Sequence, residues 1–204
     1  MSCSIYRLSP KSRTATARSD PHALTLAGRT KEETYADIES MLDKFLHKYN
    51  LDVVGRMATL NSFLHANFPR MNFVGFYVVS KVGAELAVGP YQGEVLACGT
   101  IAFGKGVCGT AATTGETQIV HDVSAVENYI ACDDDTKSEI VIPVYGSCYH
   151  NEIPAAAAVD GGSVVGVSST KKLIAVLDID GDMIGAFDKV DDIALRRILA
   201  KLFS

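Results

Sequence analysis

The spacing of the apolar residues changes at Pro69, and this change constrains the fold more than any other feature of the chain. Before Pro69, apolar residues recur every three or four positions, which predicts two amphipathic helices. The first begins at a capping box formed by Thr30 and Glu33, and the second runs from about Asp52 to His65. After Pro69, the apolar runs are short and rich in β-branched and aromatic residues, as is typical of strands.

The order of these predicted elements indicates the fold class. The predicted strands cover 72–79, 84–88, 93–101, 117–120, 138–145 and 173–180; a short helix follows a glycine turn within 104–115, and a last helix covers 189–203. Two helices, then strands with a short helix among them, then a closing helix predict an α/β (α+β) domain with a central, mainly antiparallel sheet and helices packed on it.

Composition limits the partners of the chain. The 204 residues suit one domain, and 48% of them are hydrophobic, which is enough for a substantial core. The net charge of −5 gives no basic surface for nucleic acid, and no apolar run approaches the roughly 20 residues of a membrane-spanning helix. We therefore expect a cytoplasmic protein that binds neither nucleic acid nor membrane.

Two segments differ in composition from the predicted domain at 31–204. Residues 1–30 are rich in Ser, Thr, Arg and Lys, which predicts a disordered extension; an organelle-targeting presequence is the alternative. Residues 146–172 are dominated by Ala, Gly, Val and Ser, and they exceed what a hairpin connection needs. We interpret this stretch as a mobile insertion, with a ligand lid as the alternative.

The five cysteines, at 3, 98, 108, 132 and 148, do not form a recognisable framework. Their number is odd and no C-x-x-C pair occurs, so neither a set of structural disulfides nor a metal site is predicted. Cys132 precedes three consecutive aspartates, which disfavour a thiolate. From the residues alone, Cys132 is either an inert buried thiol or a nucleophile in a reaction that also needs acids.

Three carboxylates stand on predicted strands. Asp178 and Asp180 lie two residues apart in "LIAVLDID", so their side chains project from the same face of a strand. Burial and mutual repulsion would raise their pKa values, whereas a solvated position at the strand end would leave them as turn caps. Both possibilities remain open at this level. Glu139 opens the apolar run "EIVIPV" and is a third candidate for a buried acid.

Four stretches together resemble the free methionine-(R)-sulfoxide reductases, a family of single GAF-domain enzymes. They are "NFVGFY" (72–77), "GPYQGEVLACGTIAFGKGVCGTAA" (89–112), "YIACDDDTKSEIVIPV" (129–144), and "LDIDG" (177–181) with "FDKVD" (187–191). The resemblance extends from about residue 31 to the C-terminus and is interrupted by the 146–172 insertion. It implies a GAF-like domain that reduces free methionine-(R)-sulfoxide to methionine.

The resemblance also implies roles for three cysteines. Cys132 matches the nucleophile that attacks the sulfoxide sulfur and becomes a sulfenic acid. Cys98 matches the resolving cysteine that forms a disulfide with it, and Cys108 matches an accessory or alternative resolving cysteine. Which of the two is the main resolving thiol stays open. A thioredoxin-type protein then reduces the disulfide, and neither a metal nor a bound cofactor is required.

The acids and two aromatic residues have implied roles in substrate binding. Glu139, Asp178 and Asp180 match the acids that hold the substrate ammonium and polarise its S=O group, and Phe73 and Tyr77 match aromatics that line the pocket. Phe73 departs from the family, which usually has Trp at this position. The stretch "VENYIACD" also replaces the usual "FPGHIACD", and Thr100 stands where the family often has Arg. These departures bear on substrate affinity and loop closure.

Two other functions are compatible with the pattern. The first is a GAF-type sensor that binds a small ligand or signals through its disulfide state, although acids in the pocket would repel the phosphate of a cyclic nucleotide. The second is a scaffold without a pocket or a reactive thiol. The sequence leaves the choice between monomer and homodimer open.

Overall fold

The computed structural model describes residues 29–80, 85–93, 95–127, 129–130, 135–146 and 172–203. Cys132, nearly all of the predicted N-terminal extension and the interior of the predicted insertion lie outside the described residues. The elements are α1 (Lys31–Lys48), α2 (Val53–Asn67), β1 (Met71–Val79), β2 (Glu85–Gly93), β3 (Thr100–Ala102), α3 (Gly106–Thr114), β4 (Gln118–Val120), β5 (Ser138–Gly146), β6 (Lys172–Gly181) and α4 (Lys189–Leu202), with a 3₁₀ turn at Val123–Ala125.

The strands form one six-stranded sheet in the order β3-β2-β1-β6-β5-β4, and every neighbouring pair is antiparallel. This confirms the predicted fold class. The last strand, β6, lies between β1 and β5, so the first and last strands of the chain are neighbours at the centre of the sheet. Helices pack on both faces of these central strands, which explains why the strand sequences are largely apolar on both faces.

Helices cover both faces of the sheet. On one face, α1, α2 and α4 pack over the main core, which includes Tyr35, Ile38, Leu60, Phe76, Ile140, Leu177, Ile179, Leu195 and Ile198. On the other face, the short helix α3 packs against β5 and β6 over a smaller apolar cluster. The large core stabilises the domain, and the smaller cluster on the α3 face is next to the acids singled out in the sequence.

Buried polar contacts join the N-termini of α1 and α4. The predicted capping box of α1 is present, because Thr30 accepts from the Glu33 amide and the Glu33 side chain accepts from the Thr30 amide. Tyr35 donates to Asp191 at 2.8 Å, and Lys31 donates to the same carboxylate. Asp191 is fully buried, so its paired charge fixes the two helices relative to each other.

Only the end of the predicted strand at 93–101 forms, because β3 begins at Thr100 and the described residues 95–99 are in no strand. Instead, β2 continues through Pro90 to Gly93. Since β3 pairs only with Glu85–Ala87, the rest of β2 is an edge of the sheet, where a proline interrupts no ladder of hydrogen bonds. Gly93 has a φ of 154°, and a Cβ there would lie 2.6 Å from the carbonyl oxygen of Asn72. The chain leaves the sheet after this close approach, and the segment that follows carries Cys98 on the α3 face.

Candidate functional site

Strand alternation places the predicted site residues on the α3 face of the sheet. Asp180 of β6 is opposite Phe73 on β1 and opposite Glu139 on β5. One pair further along, Asp178 is opposite Gly75 on β1 and Val141 on β5. Residues from three strands that are distant in sequence therefore form two adjacent rows across the sheet, and these rows contain three carboxylates.

Glycine on β1 makes room for aromatic side chains at one end of these rows. A Cβ at Gly75 would lie 2.6 Å from the Phe73 ring and 2.7 Å from Cβ of Tyr91. Phe73 stacks on Tyr91 with ring centroids 5.5 Å apart and contacts Tyr77 at 6.4 Å. Only glycine accommodates this aromatic cluster, which forms the wall behind the acids.

Helix α3 brings Cys108 onto the acids. The preceding turn has glycines with positive φ, at Gly104 (76°) and Gly106 (58°), and a Cβ at Gly109 would collide with the carbonyl oxygen of Ala102. The glycines allow the helix to approach the sheet closely. As a result, Sγ of Cys108 and one carboxylate oxygen each of Glu139 and Asp178 lie within 4.8 Å of one another.

A small pocket opens beside this cluster. It is lined by Tyr77, Ile101, Lys105, Gly106, Val107, Cys108, Tyr129, Ile130, Glu139, Asp178 and Asp180. Its interior volume is about 20 Å³, which is room for about one water molecule. Lys105 is the one basic residue in this lining and is itself exposed, so the floor of the pocket is acidic.

Burial perturbs the acids strongly. The pKa of Glu139 is raised well above its usual value, first by burial and then by the charges of Asp178 and Asp180. Burial raises the pKa of Asp178 from 3.8 to about 6, although hydrogen bonds from Cys108 and Glu139 oppose the rise. The pKa of the Cys108 thiol is raised by burial and then by Asp178 and Glu139. The buried position excludes the alternative in which Asp178 and Asp180 are solvated turn caps.

Polar groups crowd around Asp178. Tyr129, Glu139 and Cys108 line the same pocket as Asp178, and the Cys108 sulfur and a Glu139 oxygen lie within 4.8 Å of one of its carboxylate oxygens. Oδ1 of Asp178 is buried and receives no hydrogen bond from the described residues. A buried carboxylate oxygen without a donor is costly, so this atom is suited to a ligand that brings a cation or a donor.

The cluster is close enough in space to hold a metal ion, since its three donor atoms lie within 4.8 Å. Metal ligation by cysteine uses the thiolate, however, and the pKa of Cys108 is raised. The arrangement is therefore better suited to proton sharing than to binding a metal ion.

Cys98 lies in the segment between β2 and β3 and packs beside the α3-face cluster. It is disulfide-bonded, while Cys108 is a free thiol. Cys132, the predicted nucleophile, lies outside the described residues.

The structure brings six of the predicted site residues to one place: Tyr77, Cys98, Cys108, Glu139, Asp178 and Asp180. Phe73 is on the same face but behind the lining, against Tyr91 and Tyr77. Sequence reasoning missed Tyr129 and Tyr91. Tyr129 stands three residues before Cys132 in a quoted motif, which was a usable signal. Tyr91 also stands in a quoted stretch (89–112), but it follows Pro90 and lies outside every predicted strand. Among the described residues, no helix is long and apolar enough to cross a bilayer.

Comparisons with known proteins identify relatives of the chain. No protein-family model matches the chain. A free methionine-R-sulfoxide reductase of Escherichia coli is 30% identical over 172 residues, which cover 84% of this chain and 88% of that protein. The enzyme of the same name from Saccharomyces cerevisiae is 43% identical over 135 residues, covering 66% of this chain and 62% of the relative.

Solved structures share the fold. The free methionine-R-sulfoxide reductase of Neisseria meningitidis, solved in complex with its substrate, is 30% identical with a TM-score of 0.70 and covers 89% of this chain and 93% of that chain. A GAF-domain structure that is 35% identical has a TM-score of 0.62, with 82% and 86% of the two chains covered. On the strength of these sequence and structural similarities, the chain belongs to the free methionine-R-sulfoxide reductase family and has the GAF-domain fold.

Proposed function

We propose that the protein reduces free L-methionine-(R)-sulfoxide to L-methionine. The observation that carries the proposal is the buried acid cluster of Glu139, Asp178 and Asp180 beside a cysteine-bearing segment, with Oδ1 of Asp178 left without a donor. A free amino acid brings an ammonium group, which pairs with carboxylates at short range. A sulfoxide bound within a peptide lacks this group, so the acids select the free amino acid.

In the reaction that we propose, Cys132 attacks the sulfoxide sulfur. The sulfoxide oxygen gains a proton from an acid of the site and passes as hydroxyl to the Cys132 sulfur, and the proton from the thiol restores the acid. Methionine leaves with its sulfur reduced by two electrons, and Cys132 is left as a sulfenic acid, oxidised by two. Glu139 is the best candidate for the proton donor, because burial and the charges of Asp178 and Asp180 raise its pKa well above the usual value of a carboxyl group.

A disulfide between Cys98 and Cys132 completes the proposed cycle. The Cys98 thiol attacks the sulfenic acid, an S–S bond forms, and the hydroxyl departs as water. The state of the cysteines favours Cys98 over Cys108 as the resolving thiol, since Cys98 is disulfide-bonded and Cys108 is free. We assign the accessory role to Cys108, whose sulfur lies within 4.8 Å of a carboxylate oxygen of Asp178.

An external dithiol, of the thioredoxin type, returns the enzyme to its reduced form by thiol–disulfide exchange. The electrons for the reaction therefore come from this partner, and the proposal needs neither a metal nor a bound organic cofactor. A reducing compartment such as the cytoplasm provides the required dithiols.

The test uses the purified protein, dithiothreitol and the separate R and S forms of free methionine sulfoxide, with methionine as the measured product. We expect loss of the R form only, abolished in Cys132→Ser. The matched control is Cys148→Ser, the same chemical change at a cysteine with no proposed role, which should retain wild-type turnover. A wild-type protein that converts neither form would refute the proposal.

The resolving cysteine is tested by replacing each candidate. Cys98→Ser should release one equivalent of methionine and then recycle poorly with a thioredoxin-type reductant, whereas Cys108→Ser should continue to turn over. Full recycling in Cys98→Ser would show that Cys98 is not the resolving thiol.

A further inference from the structure

Two exposed apolar side chains adjoin Cys98. Leu96 is 84% exposed, and the two residues from Leu96 to Cys98 span at most about 7 Å. Val88 of β2 is also exposed, and because it is opposite Tyr77 of β1, it projects from the α3 face of the sheet. The Val88 amide donates to the carbonyl oxygen of Gly99 at 3.0 Å, which places Val88 beside the residue that follows Cys98. We call Val88 and Leu96 the apolar rim.

The chain around the apolar rim is exposed and carries no charge. Gly99 and Thr100 are exposed, and the stretch "VLACGTIAF" (95–103) contains neither an acidic nor a basic residue. Ile130 adds a third exposed apolar side chain on the same face, where it lies against Gly106 at the start of α3. Apolar side chains on a surface without charges are typical of the centre of a protein–protein interface.

The position of Cys98 determines what a reductant must contact. Cys98 is disulfide-bonded and half-buried, whereas the free thiol of Cys108 is buried. Thiol–disulfide exchange requires the attacking sulfur to reach a sulfur of the disulfide. A small dithiol reaches a half-buried sulfur with little other contact. A protein that carries the attacking cysteine must also place its own surface on the side chains that protrude beside Cys98.

We propose that the apolar rim is the docking surface of the protein dithiol that reduces the Cys98 disulfide. The inference rests on the recycling step of the proposed function and adds the surface that the partner uses. A charged group buried against Val88 and Leu96 would lose its hydration without gaining a partner. The surface around the partner's reactive cysteine is therefore apolar and uncharged where it meets the rim.

The exchange at this surface takes two steps. A thiolate of the partner attacks Sγ of Cys98, an S–S bond forms between the two proteins, and the sulfur that was bonded to Cys98 leaves and takes up a proton. The second thiol of the partner then attacks this mixed disulfide, which frees Cys98 as a thiol and leaves the partner oxidised by two electrons.

The partner must leave after each exchange, so a small interface with few anchoring side chains is expected. In such an interface a single buried leucine carries a large share of the binding free energy. Leu96 has the most surface to lose, since it is almost fully exposed in the free protein.

The decisive variant is Leu96→Ser. The protein is oxidised to its disulfide form with diamide and mixed with thioredoxin, which NADPH and thioredoxin reductase keep reduced, and NADPH consumption measures the reduction of the disulfide. We expect kcat/KM for thioredoxin to fall about tenfold or more, because the variant no longer buries an apolar side chain on docking. Val88→Ser should lower it by a smaller factor. Reduction by dithiothreitol should stay within about twofold of the wild type in both variants, since a small dithiol does not use the rim.

Ile193→Ser is the matched control. Ile193 is an exposed apolar residue of α4, on the opposite face of the sheet, so both reductants should act on this variant as on the wild type. Unchanged thioredoxin kinetics in Leu96→Ser would overturn the inference. An equal loss with thioredoxin and with dithiothreitol would overturn it too, because the substitution would then have altered the disulfide itself.

The assay contains no methionine sulfoxide, so its outcome is separate from that of the proposed reaction. If dithiothreitol reduces the wild-type disulfide and thioredoxin does not, the docking surface is refuted while the sulfoxide reduction stands. If neither sulfoxide is converted but Leu96→Ser shows the selective loss with thioredoxin, the proposed substrate is refuted and the docking surface stands.

Discussion

Replacing Asp178 by asparagine should make the folded protein more stable while removing its activity. Asp178 is at the centre of the site, opposite Gly75 and Val141 in the sheet and within 4.8 Å of the Cys108 and Glu139 donor atoms. Asparagine has nearly the same shape but no charge, so the variant tests what the buried charge costs.

The magnitude follows from the pKa of Asp178. Burial raises it from 3.8 to about 6, so the folded state holds the proton more tightly than the unfolded chain does. The wild type is therefore relatively stabilised below pH 3.8, and this stability is lost as the pH rises through about 6. The ionised side chain costs about 3 kcal/mol above that range. One buried amide N–H₂ without a partner in the variant costs about 1 kcal/mol.

We therefore expect Asp178→Asn to gain about 2 kcal/mol at about pH 8, or about 4–8 °C in Tm. The gain should shrink as the pH falls and vanish near pH 4. Thermal and urea unfolding of the reduced proteins across this range measure it, with Glu116→Gln, at an exposed carboxylate, as the control. A variant that is destabilised equally at every pH would refute the reasoning.

The same substitution should lower kcat/KM for free methionine-(R)-sulfoxide by about a hundredfold or more, because an amide cannot pair the substrate ammonium as a carboxylate does. A stabilised but inactive protein would show that Asp178 is kept for its chemistry at the expense of stability. Retained activity in a stabilised variant would mean that Asp178 does not contact the substrate.

Two further results are expected. Gly109→Ala should lower the free energy of unfolding by about 1–3 kcal/mol, since its Cβ meets the Ala102 carbonyl oxygen; urea titration measures this, and an unchanged midpoint would contradict the close packing beneath Cys108. The disulfide form should bind methionine sulfoxide at least tenfold more weakly than the reduced form, because the pocket volume of the disulfide form is only about 20 Å³. Calorimetry on both forms measures the two affinities, and equal affinities would contradict this prediction.

Much of the fold was predictable because local rules and tertiary packing agreed. The capping box at Thr30 formed as expected, and Asp52 caps α2. The exception was the strand predicted over 93–101, where the apolar run "VLAC" looks like a strand. Strand β2 ends at Gly93, where the positive φ and the close approach to Asn72 require glycine. A pattern of apolar residues does not report such an approach.

The candidate site was predictable in part. The two-residue spacing of Asp178 and Asp180 was enough to place both on one face, because side chains alternate along any strand. Whether they were buried was undecidable from the spacing, since that depends on α3 covering the face. That Tyr129 and Glu139 line the same pocket was likewise beyond any local pattern, because the two residues are on different segments.

The sequence by itself determined the order of helices and strands, the family resemblance and the set of candidate site residues, because these depend on periodicity and on ordered motifs. Only the tertiary structure decided that Glu139 of β5 is opposite Asp180 of β6, that Cys108 reaches both Glu139 and Asp178, and that Asp178 has a pKa of about 6. A pKa depends on desolvation and on charges a few ångströms away, and those distances exist only after β6 has inserted between β1 and β5.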